Sequence, residues 1–444
     1  MIRKQTLTVL FCFALLLCVI IWFVIRQPDT STVTNDNLEY RQAEMPQNAK
    51  LISAGTWHTI AVMEDTSLWA WGTVSNYGGS LGNGTENNSL LPVRILDNVV
   101  HAIAGETHSL AITSDGVLWA WGNNTAGQLG DGTTERRLSP VKIMKNVVYA
   151  TIAPAFSSAQ VSCSARSFAI TEDGTLWAWG GNRYLPTKIM ENVISITPSY
   201  SGAFAITKCN TLWGWGGNSD GIFGDIDVVN QLTPTPIMEN VANVTVYHKG
   251  STAAISTDGT LWILGSPHFR FMDNVAHAHG ALDYAFFVLT ADGNLYACGY
   301  PSLLYDRDWR DTPTIPLLGD GTTEDRNSPV RIMDNVASFS ITADAAFAIT
   351  KDDTLWAWGT NLGGELGDGT KGIPRLSPIP ILENVVSISS SYRNDHGATH
   401  FINTFAITRD GSIWAWGSDD RGFSTLGDGT HDAHSLPVRI IASE

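Results

Sequence analysis

Clustered basic charge is missing from this 444-residue sequence. Charged residues make up 16% of the chain, the formal net charge is −16, and Arg3-Lys4 and Arg136-Arg137 are the only adjacent basic pairs. Binding to DNA or RNA phosphates depends on clustered Lys and Arg side chains. We therefore expect no nucleic-acid partner.

Cysteine is also scarce, with five residues in the whole chain. Cys12 and Cys18 lie in the first apolar segment, which leaves Cys163, Cys209 and Cys298 at irregular spacing. An odd number of irregularly spaced cysteines does not form a disulfide framework. We expect buried free thiols, and a Cys163–Cys209 disulfide is the alternative.

One long apolar run is present, from Leu7 to Ile25, and it comes directly after a short basic N-terminal segment, Arg3-Lys4. At the helical rise these residues span about 28 Å, close to the thickness of a bilayer core. The residues after the run are large or charged and offer no cleavage site for a signal peptidase. The pattern predicts an uncleaved, single-pass membrane anchor over residues 1–26, and a cleaved signal peptide is the alternative.

The charges beside this run predict its orientation and the location of the rest of the chain. Basic residues precede the run, so the positive-inside rule places the amino terminus in the cytoplasm and the remainder outside it. Residues 27–48 are polar and unpatterned, which is typical of a flexible spacer. The remaining domain, residues 49–444, is therefore expected at the outer surface of the cell membrane.

Abundant Gly and Trp, 41 and 16 residues, accompany an internal repeat in that domain. A Trp-x-Trp-Gly element recurs at Trp69, Trp119, Trp177, Trp213, Trp356 and Trp414, with weaker copies at Trp262 and Tyr296. Repeats of about 50 residues indicate a solenoid, a propeller or an array. Each unit also contains four short apolar runs, and an Asp-Gly hairpin signal joins two of them.

These features predict an all-β fold, a β-propeller of eight four-stranded blades, or seven if one weak unit fails to form. The two Trp residues of each element share a strand face and should fill the gap between neighbouring blades. The short Met-x-Asn-Val step should join adjacent strands of one blade, and the segment after Trp-Gly should cross between blades. In that arrangement the last strand, Pro437–Ile440, pairs with Leu51–Ala54 and closes the ring.

The repeat resembles the regulator of chromosome condensation repeat family. The resemblance rests on Ala104-Gly105-x-x-His108-Ser109-Leu110, Leu118-Trp119-Ala120-Trp121-Gly122 and Gly127-Gln128-Leu129-Gly130-Asp131-Gly132. It implies a propeller, with seven blades as the usual number in the family, whereas eight copies occur here. For the eponymous member it implies guanine-nucleotide exchange on a small nuclear GTPase through a protrusion, and for secreted bacterial relatives it implies protein binding on one face.

Motifs that carry chemistry are few. Gly78-Gly79-Ser80-Leu81-Gly82 matches a hydrolase nucleophile elbow by letter, but Ser80 stands where another unit has Gln128. Repeated Leu-Gly-Asp-Gly-Thr loops lack the Lys of a P-loop and the ligands of a calcium loop, and tight turns that use Gly explain them. We expect His58 and His108 to bond the neighbouring backbone, and His277 and His279 to share one strand face.

No catalytic group, cofactor loop or metal-ligand set stands out, so we expect a non-enzyme without cofactor or metal. Three inserts interrupt the repeat, at Ala150–Ile170, Ser387–Ile407 and Tyr300–Pro316, and they should lie at one end of the blades. Their aromatic and basic residues are candidates for binding a protein partner: Tyr305, Trp309, Arg310, Tyr392, Arg393 and His396. The alternative partner is a glycan that stacks on exposed aromatics such as Tyr184, Tyr200, Tyr305 and Trp309.

Overall fold

The computed structural model describes residues 48–74, 80–153, 166–199, 202–217, 230–246, 252–265, 268–281, 285–299, 317–342, 345–394, 400–418 and 426–440. These residues form eight four-stranded antiparallel sheets, the blades of a β-propeller. The described residues contain no helix able to cross a membrane. Leu7–Ile25 lies outside them, so the anchor stays a prediction.

Each blade consists of four consecutive strands. Blades 1 to 4 contain β1 (Ala49–Ala54), β2 (His58–Met63), β3 (Leu68–Gly72), β4 (Ser89–Leu96); β5 (Val99–Ala104), β6 (His108–Thr113), β7 (Leu118–Gly122), β8 (Arg137–Met144); β9 (Val147–Ile152), β10 (Arg166–Thr171), β11 (Leu176–Gly180), β12 (Arg183–Met190); β13 (Val193–Pro198), β14 (Gly202–Thr207), β15 (Leu212–Gly217), β16 (Asn230–Met238).

Blades 5 to 8 repeat this plan. They contain β17 (Val241–Val246), β18 (Thr252–Ser256), β19 (Leu261–Leu264), β20 (Phe269–Met272); β21 (Val275–Ala281), β22 (Ala285–Thr290), β23 (Leu295–Gly299), β24 (Arg326–Met333); β25 (Val336–Ile341), β26 (Ala345–Thr350), β27 (Leu355–Gly359), β28 (Arg375–Leu382); β29 (Val385–Asn394), β30 (His400–Thr408), β31 (Ile413–Ser418), β32 (His434–Arg439).

The core lies between the blades. The second strand of a typical blade, such as β6, is buried along its whole length, whereas the outer strand β8 is half-exposed. One cluster of buried side chains joins Leu81 of blade 1 to Trp121 of blade 2. Apolar side chains on both faces of these strands therefore pack against the two neighbouring blades, as expected for strands buried on both sides.

The Asp-Gly signals form the predicted hairpins. In blade 2, Gly116 N donates to Thr113 O at 2.8 Å, and Gly116 has a φ of 75°. Asp115 accepts a hydrogen bond from Thr113 Oγ1 at 2.6 Å, which fixes the turn. A type I turn followed by one left-handed residue makes a three-residue hairpin loop, and Gly takes that conformation without strain.

The predicted path between blades was wrong. The outer strand β4 pairs with β3, and the two-residue step Asp97-Asn98 leads directly into β5, the inner strand of the next blade. Two register shifts against β3 increase the twist of β4. The end of β4 thus reaches the tip of the β2–β3 hairpin in the same blade. There Val99 N, at the start of blade 2, donates to Thr66 O at 2.8 Å.

The ring closes without an exchanged strand, contrary to the sequence-based expectation. β32 pairs with β31, and β1 pairs with β2. Ala49 N donates to Gly411 O at 2.7 Å, the same contact that joins every other pair of blades. Ile440 and Phe405 of blade 8 also share a buried cluster with Ala49 and Trp71 of blade 1. Packing of the first blade on the last therefore closes the ring.

The exposed edges of the outer strands are protected by proline. Seven of the eight outer strands contain at least one Pro, and β20 is four residues long. Proline cannot donate a backbone hydrogen bond, and a very short edge offers little to pair with. The rim of the propeller is therefore a poor template for further strand pairing.

The cysteine prediction is only half correct. Cys298 is buried in β23, and burial raises the pKa of its thiol to about 11. Cys209 is a free and exposed cysteine in the β14–β15 turn. It occupies a hairpin tip, where side chains point to solvent. Cys163 lies outside the described residues.

Candidate protein-binding face

The antiparallel order gives the propeller two different faces. We define the loop face as the one that holds the connections from first to second and from third to fourth strands. The turn face holds the Asp-Gly hairpins and the short steps between blades. All three sequence inserts fall in connections of the loop face, between β9 and β10, β23 and β24, and β29 and β30.

The ordinary loops of the loop face are structural. Leu129 and Gly130 of blade 2 lie against Trp179 of blade 3, whose Nε1 donates to Gln128 O at 3.0 Å. A Cβ on Gly130 would lie 2.7 Å from the Trp179 ring, so only Gly fits. The predicted tight turns are confirmed, because Gly130 and Gly132 have φ values of 79° and 83°.

The Asp of these loops holds them together. Asp131 accepts hydrogen bonds from Thr133 N at 3.0 Å and Arg137 Nε at 2.7 Å. Hydrogen bonds from Thr133 and Arg137 lower the pKa of Asp131 despite the opposing effect of burial, which is the largest single contribution. The carboxylate is thus committed to protein donors. Among the described residues, no three His, Cys, Asp or Glu side chains come together to hold a metal ion.

His58 and His108 are structural, as predicted, but their partner is a side chain. His58 Nε2 lies 2.6 Å from Ser109 Oγ of blade 2, and Ser109 Oγ donates in turn to Ser80 O. Since the hydroxyl proton is used there, Nε2 carries the imidazole proton. Burial lowers the pKa of His58 to about 4, so the ring is neutral. His108 repeats the arrangement with Ser167 at 2.9 Å, and its pKa is lowered to about 3.

His277 and His279 share one face of β21, as predicted, because they alternate along the strand. The His277 ring lies 5.1 Å from the ring of Phe339 in the next blade. Burial lowers the pKa of both histidines. They pack between inner strands and contact no third ligand among the described residues.

Among the described residues, a long hairpin in blade 8 departs from the repeat. In blade 2 the pairing of the first two strands ends at Ala104 and Ser109. The equivalent pair in blade 8 is Ser390 and Thr404, and four further pairs follow, the last between Asn394 and His400. Four extra residues extend the ribbon by about 13 Å at the rise of a strand. The hairpin β29–β30 therefore projects from the loop face beside the central axis.

The predicted site residues divide between this hairpin and undescribed segments. Tyr392 pairs with Ile402 and Arg393 with Phe401 in the backbone register of the projecting part. The structure thus places both residues on the projection. Tyr305, Trp309, Arg310 and His396 lie outside the described residues, as do most of the insert residues.

Exposed apolar residues near blade 8 were missed by sequence reasoning. Leu362 and Ile373 in the β27–β28 loop are 54% and 49% exposed, and Leu436 on β32 is 59% exposed. Blade 2 has Thr125 and Glu135 at the corresponding loop positions. An apolar residue that replaces a polar one in an exposed repeat position was the signal that would have identified them.

A buried carboxylate fixes the loop that exposes Leu362. Glu365 is 3% exposed and replaces Gln128 of blade 2. Its Oε1 accepts from Leu362 N at 2.9 Å and its Oε2 from Gly363 N at 2.6 Å. Leu362 is therefore presented to solvent by a rigid turn.

Comparisons with known proteins agree with the repeat pattern. A family model described as the regulator of chromosome condensation (RCC1) repeat matches residues 65–112 and 115–169, and a second model of that description matches residues 101–128. Human protein RCC2 is 35% identical over 94 residues, which are 21% of this chain and 16% of the relative. The X-linked retinitis pigmentosa GTPase regulator homolog of Caenorhabditis elegans is 33% identical over 90 residues, 20% of this chain and 6% of the relative. The match spans no more than about a sixth of either relative.

Solved structures show the same fold. Prp20p from Saccharomyces cerevisiae superposes with a TM-score of 0.54 at 17% identity, over 93% of this chain and 90% of that one. Human WBSCR16 gives 0.50 at 18% identity, over 81% and 87%. Residues 65–169 therefore match the regulator of chromosome condensation repeat, and the described residues build a propeller of eight blades.

Proposed function

We propose that the propeller is a non-catalytic, protein-binding scaffold whose loop face takes the partner. The projecting hairpin β29–β30 carries this proposal. Among the described connections, it extends the strand pairing beyond the repeat, and it holds Tyr392 and Arg393. Tyr and Arg are the side chains that most often anchor protein interfaces.

The surroundings of the hairpin support the same face. Leu362, Ile373 and Leu436 of blades 7 and 8 expose apolar surface on the loop-face side. A rigid scaffold beneath them reduces the entropy lost on binding. The yeast structure Prp20p is described together with its binding to Gsp1p and histones, which supports protein recognition as a use of this fold.

The partner should meet the propeller outside the cytoplasm. The support is the apolar run Leu7–Ile25 with its basic flank. Protease added to intact cells should digest the propeller and spare a cytoplasmic control protein. Protection of the propeller would reject the location and leave the proposed binding face to be tested separately.

A loop replacement tests the binding face. Replacing residues 391–403 with Gly-Glu-Thr-His, the connection of blade 2 at residues 105–108, removes the projection and keeps the pair Ser390–Thr404. Cross-linking in intact cells should recover a specific partner with the wild-type chain and lose it with this variant. The substitutions Tyr392→Ala and Arg393→Ala should weaken the same cross-link individually.

The matched control changes an exposed residue on the turn face. Ser114→Ala alters a hairpin tip of blade 2 and should leave the cross-link intact. Equal unfolding temperatures of wild type and variants would show that folding is preserved. Retention of the partner after removal of the hairpin would contradict the proposal.

Two other functions have less support. A nucleotide exchange factor would accelerate release of a labelled guanine nucleotide from a small GTPase, and removal of the hairpin should then abolish that activity. A glycan-binding protein would need clustered aromatics. Tyr184 is 42% exposed on β12 of blade 3, well away from the blade 8 hairpin in the ring. Tyr200, Tyr305 and Trp309 lie outside the described residues.

A further inference from the structure

Every inner strand carries a bulge at the same position. The register of each first strand shifts between its first and third residues, as between Val99 and His101 in β5. The second residue is the extra one, and no residue of the adjacent strand stands opposite it. The eight bulged residues are Lys50, Val100, Val148, Ile194, Ala242, Ala276, Ala337 and Val386.

These residues surround the central axis on the turn face. The inner strands contact each other across blade boundaries, since Ala54 N donates to Ser389 Oγ at 3.0 Å and Ala104 N to Ser53 Oγ at 3.1 Å. In blades 2 to 8 the bulged residue is the second one after the short step between blades, which belongs to the turn face. The eight side chains therefore form a ring at one mouth of the central channel, and we call this ring the collar.

Seven of the eight collar residues are apolar, and Lys50 is the exception. Val148, Ile194 and Val386 are 56%, 53% and 46% exposed, and the adjacent Tyr149 is 39% exposed. The first and fourth residues of the inner strands enter the buried clusters, for example Val99 and Ala102. Val100 also packs against a buried cluster, but polar residues at the other bulge positions would lose no contact with the buried clusters. Exposed apolar side chains concentrated in one place mark interaction sites on soluble surfaces.

Acidic side chains encircle the collar. The hairpin tips hold Asp115, Asp173, Asp258, Asp292, Asp352 and Asp410, and the steps between blades hold Asp97, Glu191, Glu239, Asp273, Asp334 and Glu383. The basic residues of the same turns and steps are Lys145, Lys208, Lys351 and Arg409. Four of the step carboxylates form ion pairs with outer-strand cations, as Asp97 does with Arg94.

The hairpin carboxylates stay ionised. A hydrogen bond from the preceding Thr or Ser hydroxyl is the largest cause that lowers the pKa of Asp115, Asp173 and Asp258. The same holds for Asp292, Asp352 and Asp410. Their charge therefore persists at neutral and mildly acidic pH, and it attracts cations toward the collar.

We propose that the collar is a second docking site, for a basic peptide segment of a partner protein that inserts an apolar side chain into the channel mouth. The apolar ring takes the inserted side chain, and Lys or Arg residues beside it reach the surrounding carboxylates. Charge complementarity favours this occupant over an anionic membrane or an acidic peptide, which the same carboxylates repel. The site lies on the face opposite the projecting hairpin and does not depend on it.

Synthetic peptides test the proposal. The probe is a fluorescent peptide with Leu on one helical face and Lys on the other, titrated with the full-length chain in phosphatidylcholine nanodiscs and with empty nanodiscs as the blank. We expect saturable binding that weakens with added salt. A peptide with Glu in place of Lys, and one with Ser in place of Leu, should each bind at least tenfold more weakly.

Matched variants locate the site. The triple substitution Val148→Ser, Ile194→Ser, Val386→Ser should weaken binding of the Leu/Lys peptide at least tenfold. The control triple Leu185→Ser, Leu232→Ser, Leu376→Ser changes residues that are 61%, 88% and 40% exposed on outer strands, and it should bind like wild type. Unchanged melting temperatures would confirm that all variants fold.

The remaining outcomes also decide whether the collar proposal holds. The variant without the β29–β30 projection should bind the peptide like wild type, so failure of the loop-face proposal leaves this one standing. The collar is overturned if the Leu/Lys peptide does not bind, if the collar triple binds it unchanged, or if either substituted peptide binds equally well.

Discussion

Two kinds of boundary occur among the blades whose connecting loops are described, and they differ in one loop. At the boundaries 1/2, 2/3, 6/7, 7/8 and 8/1, a Leu-Gly turn of one blade covers a buried Trp of the next: Trp121, Trp179, Trp358, Trp416 and Trp71. At the boundaries 3/4 and 5/6 this turn is absent. The connections after Gly180 and Leu264 lead within a few residues to Arg183 and Phe269.

Where the Leu-Gly turn is absent, the side chain at the position that it would cover is also different or less buried. The position that holds the second Trp of the repeat is Trp215 at boundary 3/4, 8% exposed, and Cys298 at boundary 5/6, 9% exposed. At four of the five boundaries that have the turn, its backbone carbonyl also accepts from the Trp Nε1, as Gln128 O does from Trp179. The large Trp ring and the close-fitting glycine turn thus form one contact across a boundary. Each stabilises the boundary less when the other is missing.

The largest effect should come from removing that ring. Trp179→Ala at boundary 2/3 should lower the free energy of unfolding by about 3–5 kcal/mol, because it leaves a cavity beneath the turn. Trp215→Ala at boundary 3/4 should cost less, since no turn closes over it. Chemical denaturation of both variants measures the difference, and equal losses would break the comparison between the two kinds of boundary.

Acid sensitivity should concentrate at boundaries 1/2 and 2/3, which are bridged by His58 and His108. Their folded pKa values, about 4 and about 3, lie below the unfolded value, so the unfolded chain binds protons first. Their contribution is complete above about pH 6.5 and declines as the pH falls, by about 2 kcal/mol for each histidine between pH 6.5 and 5.

Denaturation at pH 7 and pH 5 tests whether stability falls with pH in this direction. The variants His58→Gln and His108→Gln should each lose less stability between the two pH values than wild type. The hairpin aspartates do not interfere, because their lowered pKa values place their titration below pH 5. The partly buried histidines His101, His277 and His279 are common to wild type and variants, so their contributions cancel. An unchanged pH dependence would contradict the assignment.

The steps between blades should be equally sensitive around the ring. Asn98 at boundary 1/2 and Asn274 at boundary 5/6 have φ values of 58° and 60°. Replacing either with Ala should lower the unfolding free energy by about 1–2 kcal/mol, because a Cβ-bearing residue other than Asn is strained in that conformation. Replacement by Gly should cost less than half of this. A larger loss of unfolding free energy at one boundary would show that the steps, as well as the loops, differ between the two kinds of boundary.

The smallest effect concerns the loop that covers blade 1. His434 Nε2 lies 2.7 Å from Asp428 Oδ2, at the position where Arg137 binds Asp131 in blade 2. His434→Arg should allow a two-point contact and raise the unfolding free energy by up to about 1 kcal/mol. A lower thermal unfolding midpoint would show that the loop of blade 8 differs from its counterpart in blade 2.

Much of the fold was predictable because the repeat consists of short sequence motifs that each specify local structure. Thr113-Ser114-Asp115-Gly116 specifies a hairpin by itself, since Asp accepts from Thr and Gly takes the left-handed conformation. Eight copies of Trp-x-Trp-Gly or its variants predicted eight blades. The chain path was not predictable in the same way. It depends on how far the twisted strand β4 carries Asn98 toward Thr66, a distance that no local pattern contains.

The candidate sites show the same division. Tyr392 and Arg393 were selected because their connection is longer than the repeat requires, and length is visible in sequence. The collar was not predicted, because Val148, Ile194 and Val386 look like ordinary strand residues. Their exposure follows from the bulge, which removes the second residue of each inner strand from the alternating pattern.

The repeat, the strands, the hairpin turns and the count of blades could all be read from the amino-acid order, because each depends on the conformational preferences of residues close together in the chain. Three outcomes required the folded ring: which strands share a blade, how the ring closes at Ala49 and Gly411, and which side chains surround the channel. Those outcomes depend on the packing of one twisted sheet against the next. That packing joins residues as far apart as the two ends of the propeller.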